Sequence, residues 1–219
     1  MIVSSDKEYI ETKRYKRGEI QLQKPFSDIA RWIEDNYTVK VLNVIYDEVV
    51  PNKRPRLQVC VEYREDCDSF RDSDGLNFHK QKQDEIIDQF IRIIKNEPYS
   101  IDTETLFVVF SAFAPIAREE ANAKIRDKDI EQLVIELDNE ELWKIRPSFG
   151  GVTFFFYTEE QAKMARSSDL LNKYSNEFFK LIKKYDEFDY LNKEQFVASF
   201  DSKEYFDKNY NGSWFAYDR

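Results

Sequence analysis

The run Val152-Thr153-Phe154-Phe155-Phe156-Tyr157 limits what the chain can fold into more than any other stretch. It is apolar on both faces of an extended segment, so it predicts a strand covered above and below. Thr158-Glu159-Glu160-Gln161 comes next, the spelling of a capping box. After a break near Ser167-Ser168, Leu170, Leu171, Tyr174, Phe178, Phe179, Leu181, Ile182 and Tyr185 fall on one stripe of a long helix. A buried strand feeding an amphipathic helix is the heart of a layered α/β-type core.

The rest of the chain adds elements around it. Residues 27–37 predict a helix with Ser27 as N-cap and Ile29, Ala30, Ile33 and Tyr37 on one face. Residues 39–50 and 57–64 predict strands; Leu57, Val59, Val61 and Tyr63 alternate with polar positions, as one buried face requires. Pro51 and Pro55 bracket the basic tip Asn52-Lys53-Arg54, and both are expected outside the paired region. Residues 80–96 predict a heavily buried helix rich in Ile, stopped with the help of Pro98. Residues 106–113 form a second run apolar on both faces, expected in the interior of the sheet. Helices over 116–124 and 128–137, a strand over 142–146 and a turn at Pro147-Ser148-Phe149-Gly150-Gly151 lead back into Val152. Near the N-terminus, Lys13-Arg14-Tyr15-Lys16-Arg17-Gly18 reads as a solvated hairpin turning at Gly18, in preference to a nucleic-acid patch.

Beyond Asp186 large rings alternate with acids, among them Phe188, Tyr190, Phe196, Phe200, Phe206, Trp214 and Tyr217. Starts at Asn192-Lys193-Glu194-Gln195 and Asp201-Ser202-Lys203-Glu204 predict short helices, and Asn211-Gly212 predicts a turn. So many rings predict a tail docked on the body, where it closes one sheet edge; an aromatic platform for a sugar or peptide is the alternative. The fold expected is a single mixed α+β domain over residues 1–219. It has a largely antiparallel sheet of five or more strands packed with amphipathic helices, and the aromatic-rich C-terminal segment docks on it. The order helix–hairpin–helix occurs twice, which allows pseudo-halves at 1–98 and 99–219. No residues match between the halves, so the echo does not amount to a repeat.

Charge bears on function. Residues 1–60 hold 11 Lys/Arg against 9 Asp/Glu, a balance of +2, which leaves −11 for the rest of a chain whose net charge is −9. An acidic body disfavours nucleic-acid backbones and anionic membranes and favours cationic partners. Only 5 glycines are present, which argues against nucleotide-loop architectures. Cys60 and Cys67 match no zinc or redox spacing. The first residues carry no basic segment followed by an apolar run, and no stretch approaches a membrane span. The expectation is a soluble protein of the bacterial cytoplasm.

Catalytic patterns fail one by one. His79 is the single histidine and sits in a Lys- and Gln-rich context, where a surface role is expected. One His and two separated Cys make no standard zinc site. Asp72-Ser73-Asp74-Gly75 resembles the centre of a calcium loop, but Phe70 and Gln81 stand where an EF-hand needs acids. Gly150-Gly151 is no phosphate loop, and the hydrolase elbow spelling is absent. Trp32, Trp143 with Phe149, and Trp214 are anchors suited to either a core or an interface. No metal and no cofactor is expected.

The residues point to a non-catalytic binding protein, in its most specific form an acidic neutraliser of a basic protein, as toxin-immunity proteins are. The candidate binding residues are Glu65, Asp66, Asp68, Asp72 and Asp74 in the acidic segment 65–77. Two alternatives stand beside it: a carboxylate-dependent enzyme with converging acids in a deep pocket, and a self-associating protein that uses the aromatic tail.

Overall fold

The computed structural model describes residues 3–95, 97–148 and 150–218. The chain divides into two compact units, Met1–Ile116 and Ala117–Arg219. The first runs α1 (Lys7–Lys16), α2 (Phe26–Tyr37), β1 (Val41–Val49), β2 (Arg54–Val61), α3 (Arg64–Asp68), α4 (Lys80–Ile94) and β3 (Phe107–Ala112). The boundary falls inside α5 (Phe113–Ala123). The second continues with α6 (Asp127–Leu137), β4 (Leu142–Ser148), β5 (Gly151–Phe156), α7 (Glu159–Arg166), α8 (Leu170–Lys183), β6 (Val197–Ser202), α9 (Lys203–Tyr210) and α10 (Trp214–Tyr217). Among the described residues, no helix is long and apolar enough to cross a membrane.

Each unit holds its own sheet of three strands, β1-β2-β3 and β4-β5-β6. In both, a hairpin supplies the first pair, antiparallel, and a two-helix crossover returns the third strand parallel to the middle one. Parallel pairing needs such a crossover, because a tight turn cannot bring a strand back in the same direction. The register agrees between units. A bulge interrupts each hairpin at its open end, between Val41 and Asn43 and between Leu142 and Lys144. Val61 faces Ala112 at the last rung of one parallel pair, and Phe156 faces Ser202 at the last rung of the other. Left-handed caps at Thr38 and Asp138 end α2 and α6 alike. The chain is thus one α-β-β-α-α-β motif built twice.

Side-chain alternation explains the layering. Leu57, Val59, Val61, Val108 and Phe110 point to one face and pack with Ile29, Ile33, Ile86 and Phe90 of α2 and α4. Val152, Phe154, Phe156 and Phe200 do the same against Leu133, Leu137, Phe178 and Ile182 of α6 and α8. The other face of each sheet is covered differently. In the first unit α1 lies there, with Tyr9 stacked on Phe113 at 5.1 Å and Asn43 Nδ2 donating to Thr12 Oγ1 at 3.1 Å. In the second, α9 and α10 lie there: Trp214 meets Phe155 edge-on at 5.3 Å and stacks on Phe206 at 4.0 Å, and Trp143 stacks on Trp214 at 6.0 Å. Tyr217 Oη donates to Asp201 Oδ2 at 2.7 Å, and Arg146 pairs with Asp218.

The single sheet of five or more strands is therefore corrected to two sheets of three. The run 106–113 is also corrected: β3 is an edge strand, not an interior one. A strand apolar on both faces reports cover above and below it and says nothing about lateral neighbours. The run 152–157 does become a middle strand, β5. The docked tail contributes a strand, β6, that the reading of short helices did not contain.

Local corrections have local causes. The hairpin at Gly18 is the helix α1. Gly18, at φ +73°, ends it: Glu19 N donates to Arg14 O and Gly18 N to Tyr15 O, both at 3.0 Å, so the glycine closes a helix C-terminus. Basic Lys13, Arg14 and Lys16 suit that end of the helix dipole. Pro55 lies inside β2, opposite Glu48. Pairing with β3 starts only at Arg56, so no ladder bond on that side is lost. The helix read over 80–96 ends at Ile94; its last residue, Asn96, and the turn residue Phe149 lie outside the described residues. The capping box at Thr158 forms as expected: Gln161 N donates to Thr158 Oγ1 at 3.2 Å, and Thr158 N to Gln161 Oε1 at 2.9 Å. Ser202 and Asn192 cap their short helices.

Candidate functional site

The repeat brings corresponding strand ends into comparison. In open sheets with parallel strands, ligands bind outside the carboxyl ends of those strands. In the second unit β5 ends at Phe156 and β6 at Ser202. Backbone bonds stitch the residues just past these ends into one surface. Tyr157 N donates to Glu141 O at 3.1 Å, and Glu204 N donates to Tyr157 O at 3.2 Å. Glu159 N donates to the Glu204 carboxylate at 3.0 Å. Glu140, Glu141, Tyr157, Glu159, Glu160, Glu204 and Tyr205 are all exposed there. Tyr157 is 48% and Tyr205 39% accessible, which is high for aromatic side chains.

Some of these acids serve the fold. Glu159 and Glu160 sit in the first turn of α7, where the helix dipole favours negative charge. Glu204 caps the first amide of α7. Glu140 and Glu141 precede a strand and have no such duty. Among the described residues, Glu140, Glu141 and Glu160 make no ion pair. The nearby Lys203 is engaged: it pairs with Asp207 and lies over the Trp143 ring at 5.4 Å.

The same end of the first unit has opposite character. Glu62 N donates to Lys40 O and Ala114 N to Glu62 O, both at 2.9 Å, the same stitching with different side chains. Lys40 stands where Glu141 does, Glu62 where Tyr157 does, and Arg64 where Glu159 does. Their charges are matched locally: Lys16 to Glu62 at 2.5 Å, Lys40 to Glu34 at 3.1 Å, Arg64 to Asp68 at 3.2 Å. Glu62 is 8% exposed, shut in beneath α1.

Beside the acidic end an open groove of about 710 Å³ runs between α7 and β6. Glu159, Glu160, Lys163 and Arg166 line one wall, Ser199 to Ser202 the floor, and Tyr205 and Tyr217 the other side. Arg166 Nη2 donates to Phe200 O at 2.6 Å, and Ser202 N donates to Asp201 Oδ1 at 2.7 Å. Burial, with the Asp201 carboxylate next in weight, pushes the Tyr217 hydroxyl well above the usual phenol range. It stays a neutral donor to Asp201.

The acidic segment of the first unit is less of a cluster than its spelling. Glu65, Asp66 and Asp68 ride on α3. Asp68 is paired with Arg64 and with Arg71 at 3.3 Å. Asp72 and Asp74 lie in a turn, where Gly75 N donates to Asp72 O and Asp74 Oδ1 accepts from Leu76 N, both at 2.9 Å. Among the described residues no group of His, Cys, Asp and Glu is arranged to hold a metal ion. Cys60 and Cys67 are buried free thiols, and burial pushes Cys60 up to about 11. His79 sits at the N-cap of α4, half-buried, and among the described residues its Nδ1 has no hydrogen-bond partner. The acids of the second unit escaped sequence reading because they come from three separate segments. The only signal was Glu140-Glu141 just before a strand.

No family model, no curated protein and no solved structure matches the chain.

Proposed function

We propose that the chain is a non-catalytic binding protein that takes a basic protein onto the acidic strand ends of its second unit. It would neutralise that partner in the manner of toxin-immunity proteins, and we place this role in the bacterial cytoplasm. One observation carries the reading: at this scaffold end Lys40, Glu62 and Arg64 of the first unit each have an ion-pair partner, whereas among the described residues the exposed Glu140, Glu141 and Glu160 of the second make no ion pair. Unpaired carboxylates speed encounter with a cationic partner and reject anionic ones. Exposed tyrosines add contact area with a polar handle.

The test is capture from native host lysate at low and high salt, with mass spectrometry of what elutes, using the wild-type chain and a Glu140→Lys/Glu141→Lys/Glu160→Lys variant. The expected result is a basic protein retained by the wild type at low salt, released by salt and lost in the variant. Retention insensitive to salt, or unchanged in the variant, would overturn the reading.

A further inference from the structure

We propose that the groove between α7 and β6 seats an extended, lysine- or arginine-bearing segment of the basic partner; the inference rests on the proposed neutraliser role and gives it a second contact. The groove opens from the acidic strand ends, with Glu159 and Glu160 on its wall at the first turn of α7. Its volume of about 710 Å³ falls within the ~300–1,000 Å³ of pockets that hold ligand-sized groups. Its floor follows consecutive residues of one strand, Ser199 to Ser202, a shape that suits an extended chain.

The chemistry of the walls says how the segment is held. β6 is an edge strand, and edges offer unpaired backbone groups to another strand. Here Arg166 occupies the Phe200 carbonyl and Asp201 takes the Ser202 amide. Those contacts shield the edge, so the occupant is held by its side chains and does not add a strand. Its cation sits against Glu159 and Glu160, with the Tyr205 ring within reach for a cation–π contact. Lys163 and Arg166, one and two turns further along α7, repel a second cation and fix the direction in which the segment lies.

The experiment is a titration of the isotope-labelled full chain with a short capped peptide alternating glycine with lysine and arginine, followed by backbone amide shifts at low and high salt. The expected result is shifts at Ser199, Asp201, Ser202 and Tyr205 that vanish at high salt. Ser199→Trp fills the groove and leaves every charge in place, and should weaken the peptide tenfold or more. Ser199→Lys should do the same by repulsion, which keeps the test open should the tryptophan disturb the sheet. If both variants bind like wild type while Glu140→Lys/Glu141→Lys, which lies outside the groove lining, abolishes binding, the groove is overturned and the acidic strand ends stand. A wild-type chain that ignores the peptide at every salt concentration overturns the groove and leaves the acidic reading unsupported as well.

Discussion

The two units are one motif under two surface designs. In the first, α1 lays a basic helix over the outer face of the sheet, and its Lys16 meets Glu62 at the strand ends. In the second, the outer face is closed by rings from α9 and α10, and the strand ends keep their charge unmatched. The comparison separates two kinds of sequence constraint. Core positions must be apolar in both copies, because a sheet face and two helix stripes have to be buried. Strand-end side chains answer to no such demand. The imbalance between the copies is the feature on which the proposed partner-binding role rests.

The largest effects should come from the shared core. Phe110 and Phe200 occupy equivalent rungs and are 6% and 5% exposed. Phe110→Ala and Phe200→Ala should each cost about 3–5 kcal/mol in denaturant unfolding followed by circular dichroism. Costs differing more than twofold would break the equivalence of the units.

Next comes a feature of the second unit. The Asp186 side chain is 1% exposed and accepts from Lys183 Nζ at 2.7 Å, Leu191 N at 2.9 Å and Tyr190 N at 3.0 Å. It holds the turn that aims the chain from α8 toward β6. Asp186→Ala should cost about 2–3 kcal/mol, because it leaves two amides without their acceptor, while Lys183 keeps its pair with Asp189. A cost below about 0.5 kcal/mol in the same assay would show that β6 docks without this turn.

Helix entry offers a smaller contrast. Thr158 caps α7 with its hydroxyl, whereas the matching Tyr63 of α3 makes no side-chain cap bond. Thr158→Ala should cost about 1 kcal/mol, read as a lowered melting temperature. No change would mean that packing alone starts α7.

The surface changes should be the mildest on stability and the sharpest on binding. Reversing Glu140, Glu141 and Glu160 should move stability by about 0.5 kcal/mol at most while removing salt-sensitive capture. Reversing Glu65, Asp66 and Asp74 should leave capture in place, and the opposite ranking in a pull-down would return the site to the first unit.

The last test is one of pH. Arg126 donors, with the Tyr185 hydroxyl next, hold Asp129 well below the usual carboxylate range. A depressed folded-state pKa stabilises above the unfolded value, about 4, and that contribution fades as pH falls below it. Asp129→Asn should therefore lower the melting temperature at about pH 7 and by less at about pH 3, the contribution being lost fully only as pH falls on through the depressed folded-state value. An equal effect at both values would remove the charge from the argument.

By itself the sequence determined the mixed α/β character, most elements and the core. Phe154, Ile86 and Leu133 sit at helical or strand spacing that only burial explains, and caps such as Thr158 act within a few residues. The hairpin at 41–61 was legible for the same reason. The separation into two sheets was not, since an apolar strand announces its cover and never its neighbours. Helix α1 was hidden by weak amphipathicity: Tyr9 and Thr12 are buried among charges. The strand β6 was hidden because Val197-Ala198-Ser199-Phe200 gains its reason only beside β5. The surface site belongs wholly to the tertiary structure. Glu141, Tyr157 and Glu204 are joined by backbone bonds, and Glu159 to Glu204 by a bond from its amide to the carboxylate, between segments far apart in sequence, and no local pattern records which carboxylates a fold will bring together.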